Sequence, residues 1–230
     1  MGVHQRHFDG QNDAHVLERT ADRRERRRRE TREGILEAAR EILREQGAAD
    51  LSLRAVARRA GFTPGALYKY FDSKDDLLGV LADQAMGQLA SRLAAVATAL
   101  PADERAVELG MVYLDFARTN PQDVDIISLH RSVHATPCFP EHLHVEDTVV
   151  GVFREGAAKG VFALSGDDEA EIIAFGAWAL IQGLAQFERR QRPEFAMRVS
   201  SHHRRIIQTF IDGLKIGSDD SHSLKSVGED

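Results

Sequence analysis

SLRAVARRAGFTPGALYKYFDSKDDLL, residues 52–78, spells two short helices joined by a tight turn, with a third helix opening at its end. Ser52 stands where its hydroxyl accepts an orphan N–H of the first helical turn. Leu53, Val56, Ala57 and Ala60 recur at helical spacing and form one apolar stripe. Gly61 sits where the chain leaves that helix, in a conformation a Cβ opposes, and Phe62 is the expected buried residue of the turn. Thr63 caps the second helix, and Pro64 takes its first position, where a missing N–H costs nothing. That helix is expected from Pro64 to about Phe71. It carries hydroxyls, an ammonium and a glycine that permits close backbone approach, a set that suits the major groove of DNA.

The segment resembles the DNA-binding domain of TetR-type transcriptional repressors, through GALYKYF (65–71) as recognition helix and an FxSKxxLL junction (71–78). The likeness runs from about Thr31 to Leu81. It implies an all-α fold: a three-helix helix-turn-helix DNA-binding head followed by a helical ligand-binding and dimerisation domain. It further implies a homodimer on a palindromic double-stranded operator, released by a small-molecule effector. The candidate DNA-binding residues are Arg54, Thr63, Pro64, Gly65, Tyr68, Lys69, Tyr70 and Lys74. Thr63, Tyr68, Tyr70 and Lys74 suit phosphate oxygens; Arg54 and Lys69 reach either phosphates or base edges. A transcriptional activator, or a metal-responsive regulator of the same fold, is the alternative.

Composition fits that class. Hydrophobic content of 43% with 29% charged residues is ordinary for a globular chain. The net charge of −6 is unevenly spread: residues 1–80 carry 16 Lys and Arg against 14 Asp and Glu, and residues 81–230 carry 14 against 22. An acidic second half with a mildly basic first half fits end-on docking to nucleic acid. No uninterrupted apolar run is long enough to cross a bilayer and no signal-peptide pattern opens the chain, so no membrane partner is expected. The single cysteine, Cys138, excludes an internal disulfide and fits a reducing cytoplasm.

Four regions are expected: a disordered and basic N-terminal arm (1–30), the helix-turn-helix domain (31–78), the effector-binding and dimerisation domain (79–217) and a disordered tail (218–230). The run from Arg19 to Arg32 either extends the first helix or forms a loose arm, and either follows phosphates or is a solvated charge run. The first helix is expected from about Thr31 to Gln46, and a long helix from Ser73, opened by an S-x-x-D capping pair with Asp76. Further helices are expected at about 103–119, 121–133, 141–159, 167–190 and 193–216, with Pro137 to Pro140 interrupting helix between the second and third of these.

YLDFARTNPQDVDII (113–127) and FGAWALIQGLAQF (175–187) resemble the effector domain of one TetR subgroup, whose signature places His–Gly shortly after a Trp. Here Gln182–Gly183 follows Trp178, so a role of that histidine does not transfer. Candidate ligand-binding residues are Met111, Tyr113, Phe116, Ile127, His130, Phe153, Phe175, Trp178 and Gln182, apolar and aromatic walls with few polar groups; each also suits ordinary core. In the family the last two long helices pair between subunits. Ala174, Ile181, Leu184, Ile207, Phe210 and Ile211 suit that interface, and equally the subunit's own core.

His130, His134, Cys138, His142 and His144 crowd one segment, but Pro137 and Pro140 break the helix that would converge them, and surface histidines account for them better than a metal site. No cofactor is expected. Catalysis has no support: there is no glycine-rich phosphate loop, nucleophile elbow, HExxH pair or EF-hand loop. Asp75–Asp76 and Asp167–Asp168–Glu169 stand at helix starts, where they balance the macrodipole.

Overall fold

The computed structural model describes residues 10–47, 50–96, 98–133, 140–190 and 192–215. Among them ten helices follow in order: α1 (Gly10–Gln46), α2 (Leu53–Arg59), α3 (Pro64–Leu67), α4 (Lys74–Ala94), α5 (Ala102–Thr119), α6 (Pro121–Val133), α7 (Pro140–Ala158), α8 (Asp167–Arg190), α9 (Pro193–Ser200) and α10 (His203–Asp212). The fold is all-α, with one isolated antiparallel bridge between Phe162 and Lys215. Two compact units divide the chain, residues 1–77 and 78–230.

In the first unit the side chains of Ile35, Leu36, Ala39 and Ile42 on α1 are buried, as are those of Leu53, Val56 and Ala57 on α2, Leu67 on α3, and Phe71. The caps form as their residues dictate. Ala55 N–H donates to Ser52 Oγ at 3.2 Å, and Ala66 N–H to Thr63 Oγ1 at 3.3 Å. Asp76 N–H donates to Ser73 Oγ at 2.9 Å, while the Asp76 carboxylate accepts from Asp72 N–H at 3.0 Å. Gly61 takes φ 75°, and Phe62 N–H reaches back to the Ala57 carbonyl at 2.8 Å, closing α2 with a left-handed glycine. Arg59 clamps α2 to α1 through Glu45 (2.7 Å) and Glu41 (3.1 Å).

Three expectations change here. The first helix begins at Gly10, so the arginine-rich stretch is its continuation and the 1–30 arm is not wholly unstructured. Residues 22–30 are exposed, so packing does not hold them. Arg and Glu are strong helix formers, and the Arg26–Glu30 pair at 2.8 Å adds an i,i+4 contact. The regular part of α3 ends at Leu67, and residues 68–71 continue as tighter turns, with Tyr70 N–H bonded to Leu67 O at 2.9 Å. Phe62 is half-buried rather than buried, its ring 6.5 Å from that of Tyr70.

In the second unit α5 packs against α6, α7, α8 and α10. Phe116, Phe153 and Phe162 fill the core. Arg105, only 9% exposed, bonds to the Thr98 carbonyl at 3.2 Å and to the Glu155 carboxylate. Ion pairs fasten the outer helices: Arg189 grips Asp125 through two bonds of 2.7 Å, Arg204 grips Glu108 at 2.6 Å, and Lys215 reaches Asp103 at 2.6 Å.

The expected single helix over 193–216 is broken at Ser201–His202. Polar side chains there take carbonyls of the preceding turn: Ser201 Oγ donates to Arg198 O at 2.8 Å, and His202 Nδ1 lies 2.8 Å from the same oxygen. The long helix α8 holds an 18-residue window of mean hydropathy 1.3, enough by length and composition to cross a bilayer. A run interrupted by isolated polar residues, Glu171, Gln182 and Gln186, and by two glycines keeps a high average, which inspection for continuous apolar stretches overlooks. Ala170, Ala174, Ala177, Ile181 and Ala185 on α8 are buried in the unit's core.

Candidate DNA-binding face and effector cavity

All eight residues expected to contact DNA lie at the surface of the first unit. Arg54, Thr63, Pro64, Gly65, Tyr68 and Lys69 are exposed, with Tyr68 at 55%; Tyr70 and Lys74 are half-buried. Thr63 Oγ1 accepts from the Ala66 amide, and its hydroxyl hydrogen is still available to donate to a phosphate. Gly65 is informative through what it lacks. Its φ is not positive, and a Cβ built there meets nothing within 4 Å. Nothing inside the subunit calls for glycine at this position. The guanidinium of Arg32, the last residue of the arginine-rich run, lies 5.0 Å over the Phe71 ring at the end of the recognition element.

The second unit contains an apolar cavity and a larger cleft. The cavity, about 30 Å³, is lined among others by Gly110, Tyr113, Phe153, Ala177, Trp178 and Ile207. It has room for about one water. The cleft, about 380 Å³, is walled by Met86, Val145, Val150, Ala174, Phe175 and Trp178, with Glu146, Asp147, Arg154 and Glu171 supplying its polar groups. Val149 and Trp178 belong to both. The Trp178 ring meets Tyr113 edge-on, centroids 4.9 Å apart. The cleft falls in the size range of small-molecule sites.

Of the expected ligand-binding residues, Tyr113, Phe153 and Trp178 line the cavity and Phe175 joins Trp178 on the cleft. Met111, Phe116, Ile127 and Gln182 line neither. Phe116 is fully buried beneath the Arg92 guanidinium at 5.2 Å, Ile127 is buried core, and Met111 and Gln182 are half-buried. The side chain of His130 lies outside the described residues, as do His134 and Cys138 and the side chain of His142; His144 is exposed. Among the described residues no cluster of His, Cys, Asp or Glu could hold a metal ion.

Of the residues expected at a dimer contact, four are buried within the subunit and two, Leu184 and Phe210, are half-buried. Ala174, Ile181, Ile207 and Ile211 are buried in the subunit, and Ile181, Ile207, Phe210 and Ile211 line its cavity. Among the described residues of the second unit, the large apolar side chains left exposed are Ile172, Phe175 and Phe187 on α8 and Phe195 and Met197 on α9. Apolar residues lie on both faces of α8, so spacing alone picks the inward stripe as readily as the outward one. The cavity residues missed by sequence reasoning have one available signal: Gly110, whose absent side chain leaves room beside Ile181 and Ile207, 3.0 and 3.1 Å from a built Cβ.

The sequence pattern of the family described as bacterial regulatory proteins, tetR family, matches residues 35–81. The chain is 30% identical over 196 residues to the HTH-type transcriptional regulator SrpR of Pseudomonas putida, covering 69% of this chain and 88% of that one. It is 28% identical over 197 residues to the HTH-type transcriptional regulator Rv1816 of Mycobacterium tuberculosis, covering 70% and 83%. Its fold is similar to that of BioQ, solved with its double-stranded DNA operator, at a TM-score of 0.58 and 23% identity, covering 79% of this chain and 96% of that one.

Proposed function

The chain belongs to the TetR family of bacterial DNA-binding transcriptional regulators, and from that premise we propose that it is a repressor that binds a palindromic operator as a homodimer and is released by a small, largely apolar effector. The observation that carries the operator contact is the exposed surface of α3 and its two flanking turns. Thr63, Tyr68 and Lys69 offer donors to phosphates, and Gly65 is a glycine with no internal reason to be one. The cleft beside Trp178 supports the effector. The cavity behind Trp178 is too small for a drug-sized molecule, so an effector that enters deeply displaces that ring and favours the state it fits better. Gln182, where the resembling subgroup carries histidine, is half-buried and offers an uncharged amide.

The outward apolar side chains of α8 support self-association. Isolated apolar side chains on a surface need no explanation, but a helix apolar on both sides does. Phe175→Glu and Phe187→Glu should convert a dimer in sedimentation experiments to a monomer. A wild-type chain that sediments as a monomer at micromolar concentration rules the homodimer out.

The test of the whole reading is an anisotropy titration against DNA flanking the chain's own gene and against selected random duplexes. Saturable, sequence-selective binding that a cell extract weakens is expected. Selective binding that no extract or apolar compound library weakens would remove the effector, and failure on every duplex would remove the operator.

A further inference from the structure

We propose that the helical extension preceding the DNA-binding head is a second DNA-contacting element, which lays a row of arginines along phosphates beside the recognition helix's site. The proposal rests on the DNA-binding reading and extends it to residues outside the helix-turn-helix. Residues 22–32 hold seven arginines against three carboxylates, a net of +4 in a chain whose total is −6. They are the first turns of α1 for which side chains are described, and 22–30 are all exposed. No core explains them.

Their arrangement is specific. Arg24, Arg28 and Arg32 follow at i, i+4 and i+8, so they share one face of α1. They line one shallow groove. Arg32 fixes where that face looks, because its guanidinium stacks on Phe71, which ends the recognition element carrying Tyr68, Lys69 and Tyr70. The arginine row therefore starts beside the recognition element and continues along α1 from there. At a rise of about 1.5 Å per residue it spans about 12 Å, the axial reach of three to four phosphates on one strand at about 3.4 Å each. Among the described residues Arg26 is tied up with Glu30, whereas Arg24 and Arg28 have no ion pair. A guanidinium without an internal carboxylate, on a face shared with the recognition element, suits a phosphate oxygen.

The experiment compares the full chain, Arg24→Gln/Arg28→Gln, and Arg24→Lys/Arg28→Lys on one duplex bound by the parent, by anisotropy from 50 to 300 mM salt. Gln and Lys are both good helix formers, so far-UV circular dichroism should not change. The Gln variant should bind roughly tenfold or more weakly at 50 mM salt, and its salt slope should flatten by about 0.9 for each phosphate it no longer neutralises. The loss should be the same on unrelated duplexes, and the Lys variant should keep most of the slope. A Gln variant that matches the parent in affinity and slope overturns the proposal and leaves the head's role intact. A Gln variant that binds more tightly also overturns it, and assigns the arginines to the chain's own acidic residues. A parent that binds no duplex removes the DNA-binding reading along with the proposal.

Discussion

The Phe162 ring occupies the space in which a side chain on Gly156 would stand. Phe162 is fully buried, packs 5.6 Å from the ring of Phe153, and lies in the bridge to Lys215 at the end of α10. Gly156→Ala forces the ring out of its place. Overpacking of this kind costs about 1–3 kcal/mol, read as a lower urea midpoint with an unchanged slope.

Gly65→Ala should behave in the opposite way. The position is open and its backbone is ordinary, so stability should hold or rise by up to about 1 kcal/mol. Operator affinity should fall, because the methyl group meets the DNA surface. Parallel thermal unfolding and anisotropy measurements separate the two effects; unchanged affinity would mean that α3 does not approach DNA at Gly65.

Ala177→Leu fills the cavity behind Trp178. The variant should lose its response to effector while keeping operator affinity in its absence. A normal effector response would place the ligand elsewhere.

Burial pushes the His203 imidazole below its usual 6.5, with the Glu188 carboxylate at 3.8 Å opposing in part. A base whose folded pKa is depressed resists protonation in the fold. Its contribution to stability is complete above the unfolded value and is lost as pH falls below about 6.5. The slope from one such group is at most about 1.4 kcal/mol per pH unit. Urea titrations from pH 7.5 to 5.5 should show this loss, and His203→Gln should flatten it.

Lys159 at 2.6 Å, together with Arg105, holds the Glu155 carboxyl down at about 2, from 4.5. The stability it lends is present above pH 4.5 and is lost between there and pH 2. Glu155→Gln should destabilise the chain at pH 7, since it leaves buried Arg105 with the Thr98 carbonyl as its remaining described partner. The same variant should be less sensitive to acid over that window.

The head was legible because its signals are local. Ser52, Gly61, Thr63 and Pro64 each act within four residues of themselves, and each does in the fold what its chemistry requires. The second unit was less legible because its candidate sites depend on which side of a helix faces inward. Spacing found the apolar residues of α8, but Ile181 and Phe175 have the same chemistry and point to the core and to solvent. The break at Ser201–His202 arises from hydroxyls and an imidazole competing for carbonyls, a contest that residue types permit but do not decide. The helical state of residues 22–30 follows from propensity and an i,i+4 ion pair, without a packing pattern to announce it.

The placement of Trp178 has a practical side. It is the only tryptophan in the chain, and it forms a wall of both the cavity and the cleft, edge-on to Tyr113. Its indole is therefore a fluorophore already installed at the point where an effector would press. Emission wavelength and quenching by a titrated compound would report occupancy directly, with no label, when excitation is set beyond the absorption of Tyr68 and Tyr70 in the head.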